Sequence, residues 1–461
     1  MIPDDLRQQL HKFGQDHLIG IIERAEPAAR AKLVADLQAI NLAELHALFQ
    51  KRERKDALPE RHRIQPMPVP SMSDAQRATF HEVGVEAMAA GEVAYLVVAG
   101  GQGTRLGFDD PKGMFPIGPI SKKTLFQIHA EKVLALRTRF NARLPLLVMT
   151  SPATDEPTRQ YFKSVDYFRL PADDVIFFCQ GMMPAVDLAS GRLLRESHDQ
   201  LCLSPNGHGG TITGLHTEGL LDLLGKRGIR TISYFQVDNP LVNLADFLFI
   251  GRHLREQAEV SSKVLPKTGP KEKVGNFLLV DNRCAMIEYS DLPDDWANET
   301  DVTGNLKFWA GNPAIHLFDV GFLQKIAGEA DSLPWHLAKK KVPHVDDAGN
   351  ENKPETENAL KFERFIFDAL PQADRWTILA TERENEFAPV KNKEGVDSPD
   401  SARQLMIGQA KRWLNEAGVK VADGVTVEIS PLFALDAREL REKWKGGTEI
   451  MANTYISSSD S

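Results

Sequence analysis

A chain of 461 residues, 42% hydrophobic and 26% charged, carries enough apolar content to build cores for two or three domains. A formal net charge of −9 excludes a general nucleic-acid binder, so anionic ligands must be met by local cationic loops. Cys179, Cys202 and Cys284 lack metal-ligand spacing, no apolar run approaches a membrane span, and the acidic start Met1-Ile-Pro-Asp-Asp lacks a signal-peptide core. A cytoplasmic protein with neither nucleic-acid nor membrane partners is expected.

Residues 4–55 place Leu6, Leu10, Phe13, Leu18, Ile21 and Ile22, then Leu33, Leu37, Leu42, Leu45 and Leu48, at helical spacing. A charged stretch over 52–63 and the alternate prolines Pro66, Pro68 and Pro70 read as a solvated linker to a last helix at 74–91. From Glu92 the pattern becomes strands at 93–98, 144–150, 175–178 and 231–237 between amphipathic helices at 124–139, 154–165 and 211–224. That predicts an α/β protein with a mixed, mainly parallel sheet. In such folds ligands sit beyond the carboxyl ends of strands.

The first such end carries Ala99-Gly100-Gly101-Gln102-Gly103-Thr104-Arg105, with Lys112-Gly113 downstream. Gly100, Gly101 and Gly103 expose backbone donors, Ala99 and Thr104 flank them, and Arg105 and Lys112 add two fixed cations. This composition suits a polyphosphate whose charge shifts during reaction. Leu106 occupies the place of a dinucleotide fingerprint's third glycine, and no Gly-Lys-Ser/Thr follows, so neither a nicotinamide site nor a P-loop fits.

The later strand ends add further chemistry. Gln180 offers the donor and acceptor that reading a uracil edge requires. The turn Ser204-Pro205-Asn206-Gly207-His208-Gly209-Gly210 opens a helix, so backbone amides near Gly207 favour an anion. Asp238, after the strand at 231–237, is placed to hold Mg²⁺, which takes few carboxylates and keeps waters.

The run 96–118, continuing into Lys123-Thr124-Leu125-Phe126-Gln127-Ile128, resembles the signature of the eukaryotic-type UDP-N-acetylhexosamine pyrophosphorylases, within the UTP:sugar-1-phosphate uridylyltransferases. Matching segments recur to Pro431. The resemblance implies a Rossmann-like, GT-A-like nucleotidyltransferase core over 92–390, with a helical N-terminal segment at 1–91 and a small C-terminal lobe at 391–461. It implies transfer from UTP to a sugar 1-phosphate with Mg²⁺, releasing pyrophosphate. Gln180 then meets uracil, and Asp238 is the nucleotide- and metal-associated carboxylate. Glu288 and Tyr289 resemble the Glu-Tyr segment that holds the hexose, and Asn312 its sugar-site Asn. Lys391, in Glu386-Phe387-Ala388-Pro389-Val390-Lys391-Asn392, becomes a further basic residue at the transferred phosphate.

Two positions depart from the pattern. His208 stands where the acetylhexosamine enzymes usually carry Asn, as in the Gly-His-Gly turn of UDP-glucose pyrophosphorylases, and is expected to contact sugar. Trp309 replaces the family's usual Asn, which would set a bulky indole near the hexose. Phe362 and Phe365 are read as core packing and Phe367 as lining the hexose pocket. The expected sugar is N-acetylglucosamine 1-phosphate; the alternatives are a UDP-glucose or broad-range UDP-sugar pyrophosphorylase, and a non-catalytic UDP-sugar-binding regulator. The C-terminal segment adds a helix at 401–417, a strand at 425–429 and a polar end, 453–461, expected to fray.

Overall fold

The computed structural model describes residues 1–53, 58–329 and 333–457. The chain divides into two compact units, one formed by 1–58, 180–210 and 333–368, the other by 59–179, 211–332 and 369–461. Each is discontinuous in sequence, and their limits cross the expected boundaries at 91 and 390.

The larger unit is built on an eleven-stranded sheet, numbered here β1 (Ile64–Pro66), β2 (Val93–Val98), β3 (Leu146–Thr150), β4 (Val175–Cys179), β5 (Thr231–Gln236), β6 (Val260–Pro266), β7 (Asn276–Val280), β8 (Arg283–Ile287), β9 (Ala310–Gly311), β10 (His316–Asp319) and β11 (Trp376–Ala380). The order is β1-β7-β9-β6-β10-β5-β2-β3-β4, with β8 on β7 and β11 on β6. β5, β2, β3 and β4 run parallel, and β10 begins an antiparallel half. All six residues of β2 are buried, because a central parallel strand is covered on both faces.

Local chemistry sets the covering helices. Ser73 and Gln76 form a capping box before Asp74–Ala90, which ends on Gly91 in the left-handed region. Thr124 caps Leu125–Phe140, and Asp246 caps Phe247–Arg255. The expected helix at 211–224 is two helices, Gly210–Thr217 and Leu220–Lys226, divided at Gly219, whose φ of +65° breaks the hydrogen-bond ladder.

The stretch expected as a solvated linker does more than connect. β1 joins the sheet edge antiparallel to β7. Arg61 donates to Glu299 at 2.7 Å with its guanidinium over the Phe308 ring, and Arg63 pairs with Asp281. Residues 54–57 of that stretch lie outside the described residues.

The C-terminal lobe packs Leu414, Val427, Phe433, Leu440 and Ile456 between Pro399–Glu416 and two short parallel strand pairs. Thr454–Ile456, in the segment expected to fray, pairs with Val427–Ile429; 458–461 lie outside the described residues.

In the smaller unit the helices Asp4–Lys12, Asp16–Arg24, Pro27–Gln38 and Leu42–Gln50 bury Leu6, Leu10, Leu18, Ile22, Leu33 and Leu37 against Val186, Leu360 and Phe362. A three-stranded sheet, His336–Lys340, Ala359–Glu363 and Val186–Asp187, supplies the last three. Among the described residues no helix is long and apolar enough to cross a membrane.

Candidate active site

The glycine-rich loop leaves β2 and folds on its own backbone. The Gly103 N–H donates to Asp110 O at 3.0 Å, the Lys112 N–H to Gly101 O at 3.1 Å, and Ser151 Oγ to Gly100 O at 2.8 Å. Ala99 is buried and anchored to β3 through Met149 O. Gly101, Thr104 and Arg105 are exposed, and Arg105 makes no hydrogen bond or ion pair with a described residue. Lys112 Nζ lies 3.2 Å from the Asp238 carboxylate. The loop end also closes on the C-terminal lobe, where Glu428 accepts from the N–H groups of Ile120, at 2.6 Å, and Ser121, at 2.8 Å.

Asp238 follows β5, opposite the segment that carries Lys391. Its carbonyl accepts the Val390 N–H at 2.9 Å. The neighbouring Asn239 donates to Glu386 O at 2.7 Å and accepts the Ala388 N–H at 3.0 Å. The Lys391 and Asn392 N–H groups then turn onto Asp397 O, at 2.7 and 2.9 Å. Asp397 sits at φ +57°, and burial pushes its carboxyl above the usual range while Lys391 pulls it down and Asp238 pushes it further up. The stem of Lys393 reaches within 3.9 Å of where a Cβ on Gly107 would lie. Asn239, Asp397 and Lys393 are absent from the sequence reading; the only local signal was charge near Lys391.

The antiparallel half collects the expected hexose residues by register. Asn276 in β7 pairs on one side with Ile287 and on the other with Gly311, so Glu288 and Asn312 emerge on either side of one residue. Asn312 accepts the Ala314 N–H at 2.8 Å, and its own N–H meets Gly275 O at 2.9 Å. Lys267, which reads in sequence as a loop lysine, donates to Asn276 Oδ1 at 2.6 Å, and burial lowers its pKa. Tyr289 is 46% exposed and has no hydrogen bond with a described residue. The Trp309 indole N–H is taken by Met67 O at 2.9 Å, so this side chain is committed to the segment after β1.

In the smaller unit Gln180 is 7% exposed, and its carboxamide has no hydrogen-bond partner among the described residues. Gly207 has φ +83°, and a Cβ there would collide with the Arg364 carbonyl oxygen, which accepts the Gly209 N–H at 2.8 Å. His208 Nδ1 accepts the Ile366 N–H at 3.1 Å, which leaves the neutral ring's proton on Nε2. Burial, with the nearby His336, lowers the His208 pKa to about 4, so the ring is a neutral donor at physiological pH.

Of the two phenylalanines expected as core packing, Phe362 keeps that place and Phe365 does not. Phe362 and Phe367 are buried, whereas Phe365 is half-exposed and stacks on Phe367 at 4.9 Å and beside His208 at 5.3 Å. Residue 365 lies just beyond the strand Ala359–Glu363, whose alternation no longer governs it.

Among the described residues no three or more His, Cys, Asp or Glu side chains gather into a metal cage. A half-buried carboxylate beside a cation-rich loop fits a metal held partly by phosphate oxygens.

Residues 42–443 match the family described as UTP–glucose-1-phosphate uridylyltransferase. The chain is similar to UDP-N-acetylhexosamine pyrophosphorylase-like protein 1 of Mus musculus, 35% identical over 447 residues, covering 92% of this chain and 88% of that one. It is similar also to UDP-N-acetylglucosamine pyrophosphorylase of Saccharomyces cerevisiae, 34% identical over 451 residues, 94% of this chain and 93% of that one. The crystal structure of the uridine diphosphate N-acetylglucosamine pyrophosphorylase from Trypanosoma brucei in complex with inhibitor aligns with a TM-score of 0.83 at 29% identity, covering 98% of both chains.

Proposed function

Because the chain belongs to the UTP–glucose-1-phosphate uridylyltransferase family, we propose that it converts UTP and N-acetylglucosamine 1-phosphate to UDP-N-acetylglucosamine and pyrophosphate. The observation that carries this reading is the grouping in the larger unit: Lys112 paired with Asp238, and the Lys391 segment bonded to the Asp238 carbonyl. The names of the yeast and trypanosomal relatives favour the acetylated sugar.

A sugar phosphate oxygen attacks the α-phosphorus and the pyrophosphate leaves from the opposite side. The nucleophile is already an anion at neutral pH, so no general base is required. Arg105, Lys112 and Lys391 offset the charge that develops on the α-phosphate and the leaving group, and catalysis rests on positioning and fixed charge. Gln180 is assigned the uracil edge, Gly207 an anion, and His208 and Phe367 the sugar. Glu288 accepts from sugar hydroxyls, with Asn312 and Tyr289 as its companions. Asp238 is the residue that would hold Mg²⁺, which when bound supplies charge neutralisation on the phosphates.

Pyrophosphate release from UTP, N-acetylglucosamine 1-phosphate and Mg²⁺ tests the reading, and ligand binding without release would make the chain a regulator. The Gly207-His208-Gly209 turn favours glucose 1-phosphate, which belongs in the same assay.

A further inference from the structure

We propose that Asn239 is a positioning residue for the transfer, setting Lys391 against Asp238; the proposal rests on the uridylyltransferase reading. The Asn239 side chain is buried, and both ends of its carboxamide are used within one turn of chain. The donor end holds Glu386 O at 2.7 Å and the acceptor end holds the Ala388 N–H at 3.0 Å, one on each side of Phe387. Two residues further the Val390 N–H meets Asp238 O at 2.9 Å, and Lys391 is next. The backbone from 386 to 390 is therefore laid along 238–239 by three hydrogen bonds, two of them from one side chain. Only an amide supplies a donor and an acceptor at that separation.

The partner of Asn239 is itself fixed. The Glu386 carboxylate accepts from Lys263, which is 0% exposed and also pairs with Asp246 at 2.7 Å, while Thr381 Oγ1 donates to Glu386 at 2.9 Å. Asn239 thus ties a rigid buried ion cluster to the residue beside Asp238. The turn has anchors that do not involve Asn239: Gln409 donates to Asn385 O at 2.8 Å and Arg412 to Glu384 O at 2.6 Å. Removing the amide frees the approach of Lys391 while the turn stays attached.

The test is a double-mutant cycle on the full chain with UTP, N-acetylglucosamine 1-phosphate and Mg²⁺, reading pyrophosphate release and melting temperature. Asn239→Ala should lower kcat on the order of 10–100-fold, as small misplacements of a charge donor do, with the KM for UTP changed less than about threefold. In a Lys391→Ala background the same substitution should change kcat less than about twofold, because the residue it positions is gone. Equal factors in both backgrounds, or a raised KM with unchanged kcat, would overturn the proposal. If Asn239→Ala does not fold, Asn239→Ser, whose shorter side chain cannot reach both Glu386 O and the Ala388 N–H, gives the same reading. A wild-type chain that releases no pyrophosphate overturns the functional reading itself, whereas failure of the cycle alone removes only the role of Asn239.

Discussion

The Lys112 ammonium and the Asp238 carboxylate lie 3.2 Å apart, so the loop after β2 and the end of β5 meet through one ion pair at the candidate phosphate site. A ligand phosphate entering there competes for the lysine and releases the carboxylate. Arg105→Ala or Lys112→Ala should therefore lower turnover by at least ~100-fold, the scale of losing one preorganised charge donor. Pyrophosphate-release kinetics decide it, and near-normal rates in both variants refute these roles.

Asp238→Asn removes the charge that would hold Mg²⁺. The concentration of Mg²⁺ for half-maximal activity should rise by roughly tenfold or more, and chelation should abolish turnover of the wild type. A metal titration that is the same for both proteins would move the ion elsewhere.

For the sugar, kcat/KM with N-acetylglucosamine 1-phosphate should exceed that with glucose 1-phosphate by about tenfold or more, the discrimination a fitted pocket gives. With the Trp309 indole N–H held by Met67, Trp309→Phe should leave that ratio within about twofold while lowering the melting temperature, through loss of one net hydrogen bond. A preference for glucose 1-phosphate would reassign the substrate.

Histidines govern the response to acid. His129 and His253 are buried, with pKa values lowered to about 3, and His208 lies at about 4. Since the unfolded chain takes up these protons from about pH 6.5 downward and the folded chain does not, the histidine contribution to stability should be flat above that and fall as pH drops toward 4. The loss should reach a few kcal/mol, seen as a falling melting temperature. The rate, by contrast, should show no inflection from His208 between about pH 6 and 9, and His208→Asn should keep the shape of the pH profile.

Lys263 is enclosed between Asp246 and Glu386. Lys263→Met would leave the buried Glu386 carboxylate facing the half-buried Asp246 and should cost about 3–5 kcal/mol. Denaturant unfolding of the variant measures it, and a loss below ~1 kcal/mol would show that water reaches the cluster.

Local patterns were legible in the sequence where one segment decides its own structure. Val93-Ala94-Tyr95-Leu96-Val97-Val98 admits only a strand covered on both faces, and the glycines after it place the loop. Gly219 was also visible, yet apolar spacing on both sides argued for one helix, and only the φ at that residue divides it. Asn239 could not be read because its partners lie 147 and 149 residues away, with nothing between to announce them. Asp397 and Lys267 look like loop residues until the turn after Val390 folds Lys391 onto Asp397 and the sheet sets Asn276 beside Lys267. The two compact units, each assembled from three separate stretches, follow no local pattern at all.

The Glu428 carboxylate grips Ile120 and Ser121 across 308 and 307 residues of chain. On a ribosome those two amides are made early and wait through most of translation for their acceptor. A chain cut short before residue 428 would retain every glycine of the phosphate loop and still present that loop without its clasp. Any activity of such a fragment would measure how much the last thirty-four residues contribute to a site that begins at residue 99.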